Sequence, residues 1–408
     1  MTTLDLPVAA GSRSRRVLGR RGSFWTAAAV AGISLWTSAA PTTSYPLYAK
    51  TWHLTPTATT AIFAVYPVVL VAFLLLFGQL SDFIGRRATM LYGVGAMLVG
   101  VLLFALAPSV AWVYAGRAFM GAGVGLALTP ATAAAVEFSA RGKTDRAAPI
   151  TTAATAAGLA LATIVGGGLI EYAPAPLHLD FWVLLAVVAG VFAAVWAMPR
   201  HTKDEAQGRW RPRRVTVAKG IRLLYLAAAL AVTAAYAFGS VFLALGAQIV
   251  RDLVGTGNIF VIGLLLAIFS VATGTTAIIG RRFPARRLVP LGAVLTIVDL
   301  GLLEVAATAH SLPFFVATTA AGGTAYGLLF SGGLGLIGTH APAHHRGATV
   351  SAVYLVAYIL QGAAALALGV VATAAGLSTA LLLGVTVIGT LALLVLAATF
   401  ALTRKEVA

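Results

Sequence analysis

Two charged residues stand where charge is costly. Arg117 lies about two turns into an apolar run, Arg117-Ala118-Phe119-Met120-Gly121-Ala122-Gly123-Val124-Gly125, and Asp299 falls near the middle of another. A charge within hydrocarbon costs several kcal/mol unless it is paired or hydrated, so such residues mark pathways for ions or substrates. Arg117 either faces such a pathway or extends its long side chain to the nearer interface. At Asp299 the loss of water favours the neutral acid, which suits a proton carrier or a protonated, hydrogen-bonded structural group. Glu304 is five residues further on, about 140° around a helix, and shares no face with it. Glu137 and Glu171 lie near the ends of apolar runs. Arg117, Asp299 and Glu137 are the candidates for proton coupling.

A second cluster lies between two apolar runs: Gly78-Gln79-Leu80-Ser81-Asp82-Phe83-Ile84-Gly85-Arg86-Arg87. Its residues describe a tight turn, with Gly85 relieving the backbone and Arg86 and Arg87 anchoring the next helix to the membrane face. Asp82 needs a positive partner there, and the N-terminal end of another helix would serve. The basic stretch Gly280-Arg281-Arg282-Phe283-Pro284-Ala285-Arg286-Arg287 lacks the aspartate and reads as an anchor alone.

Composition names the solvent in which these residues work. Of 408 residues, 60% are hydrophobic and 10% charged, far less charge than the surface of a soluble chain this size requires. The apolar runs are continuous rather than alternating, so they span as helices and not as a barrel. The net charge of +16 comes from short basic runs separated by apolar spans, with no groove-reading motif, so nucleic acid is not an expected partner. The absence of cysteine excludes disulfides and thiolate metal sites. His340, His344 and His345 lack nearby carboxylates and make a poor metal site. No zinc-protease, nucleophile-elbow or phosphate-loop motif is present, so neither an enzyme nor a cofactor is expected.

The elements that must position the charges are twelve spans, near 24–46, 58–80, 88–108, 111–138, 148–171, 180–198, 222–249, 258–280, 288–308, 312–339, 348–373 and 377–402. The Arg-rich stretch ahead of the first reads as the flank of an uncleaved span. With this division, 25 of the 28 Lys and Arg fall on the side of the termini and only Lys50 and Arg251 on the other, leaving Arg117 inside a span. One helix too many or too few would destroy that alternation, which also assigns both termini to the cytoplasm. The polar stretch 199–221 separates two six-helix halves, 1–198 and 222–408. Glycines at Gly121, Gly125, Gly158, Gly166, Gly167 and Gly168 read as close helix-packing positions.

The loop at Gly78–Arg87 resembles the signature G-x-L-S-D-x-x-G-R-R of the major facilitator superfamily, and it lies between the second and third of twelve spans. The resemblance covers nearly the whole chain and is nearest to actinobacterial drug:proton-antiporter-like members. It implies an all-α membrane protein of two six-helix half-domains. It also implies a loop that stabilises the outward-open state through the eleventh span, whose start here is Arg346-Gly347. The run after Arg117 resembles the fourth-helix motif, whose arginine is implicated in proton transfer. The fifth span, Gly158 to Gly168, resembles the antiporter motif only in part, because Ala162-Thr163 stand where that motif has Gly-Pro.

The resemblance further implies a cavity lined by the first and fourth spans of each half. Those spans offer Trp36, Thr42, Tyr45, Thr129, Tyr225, Tyr236, Phe238, Thr318, Thr319 and Tyr326, a set suited to an apolar solute steered by hydroxyls and aromatic rings. The expectation is a monomeric secondary transporter of the bacterial inner membrane that couples efflux of hydrophobic small molecules to protons. Import of a small metabolite is the alternative.

Overall fold

A computed structural model describes residues 17–140, 146–200, 221–251, 255, 257–309, 311–341 and 343–407. The residues of 199–221 other than 199, 200 and 221, the first N-terminal arginines, and the side chains of Arg346 and its neighbours lie outside this description. The described residues are helical, and no strand occurs among them. The first half contains α1 (Arg20–Ala39), α2 (Pro41–Thr51), α3 (Pro56–Phe77), the short α4 (Leu80–Ile84), α5 (Arg86–Ala105), α6 (Val110–Glu137), α7 (Ala147–Tyr172) and α8 (Leu179–Trp196). The second contains α9 (Arg222–Ser240), a π-helical turn (Val241–Leu245), α10 (Gly246–Ile249), α11 (Ile259–Gly280), α12 (Ala285–Thr308), α13 (Leu312–His340), α14 (Ala343–Ala375) and α15 (Leu377–Val407).

Ten of these helices are long and apolar enough to cross a membrane by composition alone. The other two spans are α1–α2 and α12. The first is rich in small polar residues and interrupted at Pro41; the second carries Arg286, Arg287, Asp299 and Glu304. Local signals set several ends. Thr55 caps α3 through Oγ1, which accepts from the Ala58 amide at 3.3 Å ahead of Pro56. Asn258 caps α11 in the same way, accepting from the Val261 amide at 3.0 Å. Trp25, Trp112, Trp182 and Trp196 are exposed near helix ends, where amphipathic rings favour the headgroup level.

Helix pairings repeat between the halves. The contacts of α1 with α7, α3 with α6, and α5 with α6 recur as α9 with α14, α11 with α13, and α12 with α13. Two seams join the halves, α7 against α11 and α3 against α14. They need glycine at their closest points: a Cβ on Gly263 would lie 2.1 Å from the Thr163 carbonyl, and one on Gly369 1.8 Å from Thr60 Oγ1. The first span of each half is also broken, by Pro41 in one and by the π turn in the other. No proline stands in the seventh span, and π turns of this kind occur often at functional sites.

The two faces of the molecule differ. At the face opposite the termini, the Thr57 and Thr373 hydroxyls meet at 2.8 Å, and the Ile259 amide donates to Glu171 Oε2 at 2.8 Å. Tyr172 also packs on Phe260 there, with ring centroids 5.8 Å apart. Toward the termini, α6 and α13 make no extensive contact, and Thr129 on α6 is exposed. The halves thus meet at the far face, and at the near one Arg281 still bridges the α7–α11 seam by donating to Thr152 Oγ1 at 3.1 Å.

Candidate functional site

In the signature loop, Gly85 adopts φ +90°, a conformation glycine alone takes without strain. Asp82 pairs with Arg86, four residues on, at 2.9 Å rather than with a helix end, and Arg86 also donates to Ser81 Oγ at 2.7 Å. Arg86 reaches Glu137 Oε1 at 3.1 Å, the last residue of α6. The Glu137 side chain is 41% exposed. It ends a helix at the membrane face, where its charge opposes the helix dipole and Arg86 offsets it. Arg20 caps the same helix end by donating to the carbonyls of Glu137, Phe138 and Ser139. Arg87 does this for α8, donating to the carbonyls of Val195 and Trp196 and lying over the Trp196 ring. Gly78, at the start of the loop, caps α3 in the helical conformation.

Arg117 does not reach an interface: it is 0% exposed, which removes the snorkelling alternative. Its guanidinium donates to the carbonyls of Ser38 at 2.9 Å, Ile62 at 3.4 Å and Phe63 at 3.5 Å. Phe63 is four residues before Pro67, so the ring that lacks an N–H leaves this carbonyl without its helical donor. Ser38 belongs to the last turn of α1, where carbonyls are likewise left over. The guanidinium carbon also lies 4.7 Å from the Tyr66 ring centre and 5.8 Å from that of Phe63. Two helix interruptions and two aromatic faces accommodate the cation, and no carboxylate takes part.

Asp299 is also 0% exposed, on the inward side of α12. Its Oδ2 would lie 2.7 Å from a Cβ placed on Gly322, and the Phe238 ring edge 2.9 Å from the same point. Neither oxygen has a hydrogen-bond partner among the described residues. Among the described residues no contact brings Asp299 and Arg117 together; each is enclosed by helices of its own half.

The cavity candidates divide. Tyr236 and Tyr326 stack at 6.3 Å, each beside Phe330, and Tyr236 meets Tyr358 edge-on at 4.8 Å. Tyr358 belongs to α14, which packs on α3 of the other half, the helix that carries Tyr66 beside Arg117. Phe238 faces the other way, 0% exposed against Phe242, Phe269 and Asp299, and borders a small apolar pocket with Leu300, Leu303, Leu368 and Leu381. Tyr45 borders a cavity of about 360 Å³ between α2 and α10, together with Lys50, Thr59, Ala247 and Arg251. Trp36 is half-buried with its indole N–H unpaired, and Thr129 is exposed on α6. The packing glycines lie at helix contacts: a Cβ on Gly121 or Gly125 would meet the Tyr66 or Leu70 carbonyl, and one on Gly158 that of Gly32. Gly167 and Gly168 face Ile259 and Phe260 in the seam between halves, and Gly166 faces Thr43 and Asp180.

The sequence reading did not contain Asp180, Tyr354 or Tyr358. The tyrosines stand four apart on α14, with rings 6.0 Å apart, a spacing that puts both on one helix face. Asp180, one residue into α8, is 1% exposed with both oxygens unpaired.

A profile of the Major Facilitator Superfamily matches residues 24–298. Over 131 residues, 31% of the chain, the sequence is 36% identical to the multidrug efflux pump LfrA of Mycolicibacterium smegmatis (strain ATCC 700084 / mc(2)155). That match spans 25% of the relative's length. Three solved structures share the fold at low identity. A bacterial homologue of the human lysosomal transporter Spinster, inward-facing and unoccupied, has a TM-score of 0.71 at 13% identity, covering 97% of this chain and 98% of its own. A point mutant of the nucleoside transporter NupG has 0.73 at 11%, covering 92% and 99%. A point mutant of the peptide transporter POT, in complex with sulfate, has 0.73 at 16%, covering 95% of each chain.

Proposed function

The chain belongs to the Major Facilitator Superfamily, and from that premise we propose that this membrane transporter exports hydrophobic small molecules in exchange for protons. The supporting observation is the wall formed by Tyr236, Tyr326, Phe330 and Tyr358. It offers flat apolar faces and phenolic hydroxyls, with no carboxylate among these residues to select for a cation. A solute held by stacking and a few hydroxyls is selected by hydrophobicity and size rather than by charge. The partial likeness to a protein named as a multidrug efflux pump points the same way.

In this reading, residues 1–198 and 222–408 form the half-domains and 199–221 links them. Both termini lie in the cytoplasm and the protein works as a monomer in the bacterial inner membrane. Solute enters from the face toward the termini and leaves when the far face opens. Asp299 is the first candidate for the exchanged proton and Arg117 for the fixed charge that shapes the pathway. Everted vesicles acidified inside should accumulate a hydrophobic fluorescent dye, and a protonophore should release it. Dye exclusion under those conditions, with gradient-driven accumulation of a polar metabolite in right-side-out vesicles, would establish import instead.

A further inference from the structure

At the closed face a second buried acid stands apart from the residues discussed as the transport pathway. Asp180 is in the first turn of α8, where a carboxylate commonly accepts backbone N–H bonds, yet it accepts none. The residue ahead of α8, His178, makes no side-chain cap either, and its Nδ1 instead meets the Ala105 carbonyl at 3.0 Å. Asp180 Oδ2 and Thr43 Oγ1 lie 3.2 and 2.8 Å from the point where a Cβ on Gly166 would sit. The glycine therefore opens the space that Asp180 and α2 share. Tyr48, 1% exposed, packs on Phe104 at 6.4 Å between ring centroids, and Phe104 packs at 4.7 Å on Phe181, the residue after Asp180. The hydroxyls of Ser44, Tyr45 and Tyr48 are buried and unpaired as well. An uncompensated carboxylate there would cost several kcal/mol, so the pocket accommodates the neutral acid.

We propose that Asp180, which shares with Thr43 the space that Gly166 opens at the junction of α2, α7 and α8, is a proton-binding site. Its occupation accompanies closure of the face opposite the termini. The lever is α2. This helix is hinged at Pro41, contains Pro46, and packs on α7 in its own half and on α10 and α11 in the other. Parting of the halves at that face frees α2 from α10 and α11 and lets water from the cavity beside Tyr45 reach the acid. The closed state binds the proton and the open state releases it, so acid favours closure and alkali favours opening.

Other titratable or charged groups around the site are few. On α2 they are Tyr45, Tyr48 and Lys50; Glu171 on α7 is engaged with the Ile259 amide. His178 precedes α8, α5 contributes Phe104 beside Phe181, and Arg117 on α6 is engaged with the carbonyls of Ser38, Ile62 and Phe63. This inference rests on the proton-coupled reading of the transporter, and its test separates the two.

The chain has no cysteine, so a single Ala247→Cys reports opening beside α2 through its labelling rate with an impermeant thiol reagent. In the wild-type background the rate, divided by that of an exposed Thr51→Cys reference so that the thiol's own ionisation cancels, should climb up to about ten-fold per pH unit as the medium is made alkaline, the limit for one linked proton. Asp180→Asn should give a slow, flat rate, Asp180→Glu should retain the climb, and Tyr48→Phe should displace its midpoint without flattening it. His178→Gln should leave the profile unchanged. Flattening by Asp180→Asn in a protein with no proton-driven dye flux would sustain the site and remove the export reading. An unaltered climb in Asp180→Asn, with wild-type flux proton-driven, would overturn the site and leave the export reading standing.

Discussion

Arg117 in the first half and Asp299 in the second are equally shut from solvent, and their surroundings are opposite in kind. The arginine donates to three carbonyls and lies against two aromatic rings. The aspartate has a glycine and a phenylalanine edge beside it, and neither oxygen accepts a bond. A buried charge with partners is a fixed feature of the scaffold, because removing it orphans every group that answered it. An acid without partners is tolerated in its neutral form and becomes ionised only if the surroundings change. Arginine also keeps its proton at any working pH, whereas a carboxyl can exchange one. Under the proposed function, the comparison makes Arg117 the candidate for positioning and Asp299 the candidate for proton exchange.

Arg117→Ala should have the largest effect. It leaves the Ser38 and Phe63 carbonyls unpaired, at about 1–3 kcal/mol for each buried group. Dye transport should be abolished and the melting temperature in detergent lowered; Arg117→Lys should recover stability only in part, lacking the planar fork. An Arg117→Ala protein with normal melting and normal flux would end the distinction drawn here. Asp299→Asn should come next and differ in kind. No bond is lost, so melting and dye binding should persist while gradient-driven flux disappears. Full gradient-driven transport by this variant would make Asp299 an inert buried group.

The smallest effect should come from the signature loop, where the charges are partly solvated. Asp82 and Glu137 are about half exposed, and such pairs contribute about 0–1 kcal/mol. Asp82→Asn should shift the balance of inward- and outward-open states by no more than about five-fold. Accessibility of a single cysteine at the closed face, with expression measured alongside, reads that shift. Asp82→Asn and Glu137→Gln should combine less than additively, because both act on Arg86. Unfolding of either variant would show the loop to be structural.

The sequence carried the spans, the loop and the burial problem posed by Arg117, because each is local: an apolar run, a turn, a charge out of place. It did not reveal what depends on helix packing. Asp180 is one residue inside its helix, a depth that reads as interfacial, and it is buried where α8 packs on α1, α5 and α7 beside Thr43 of α2. Tyr354 and Tyr358 belong to the eleventh span, outside the first and fourth spans of each half from which the cavity set was drawn. Tyr236 and Phe238 were grouped by proximity in sequence, yet two residues turn a helix by about 200°. One joins the tyrosine wall and the other encloses Asp299. The π turn after Ser240 has no proline to announce it.

The central claim is that a neutral buried acid is exchanged against an apolar solute. It is tested most directly by adding a transported dye to purified protein in weakly buffered detergent and recording pH with an indicator. Wild-type protein should release protons as the dye binds, Asp82→Asn should do the same, and Asp299→Asn should bind dye with little or no release. Saturable dye binding by the wild type without proton release, from mildly acid to mildly alkaline pH, would contradict the account.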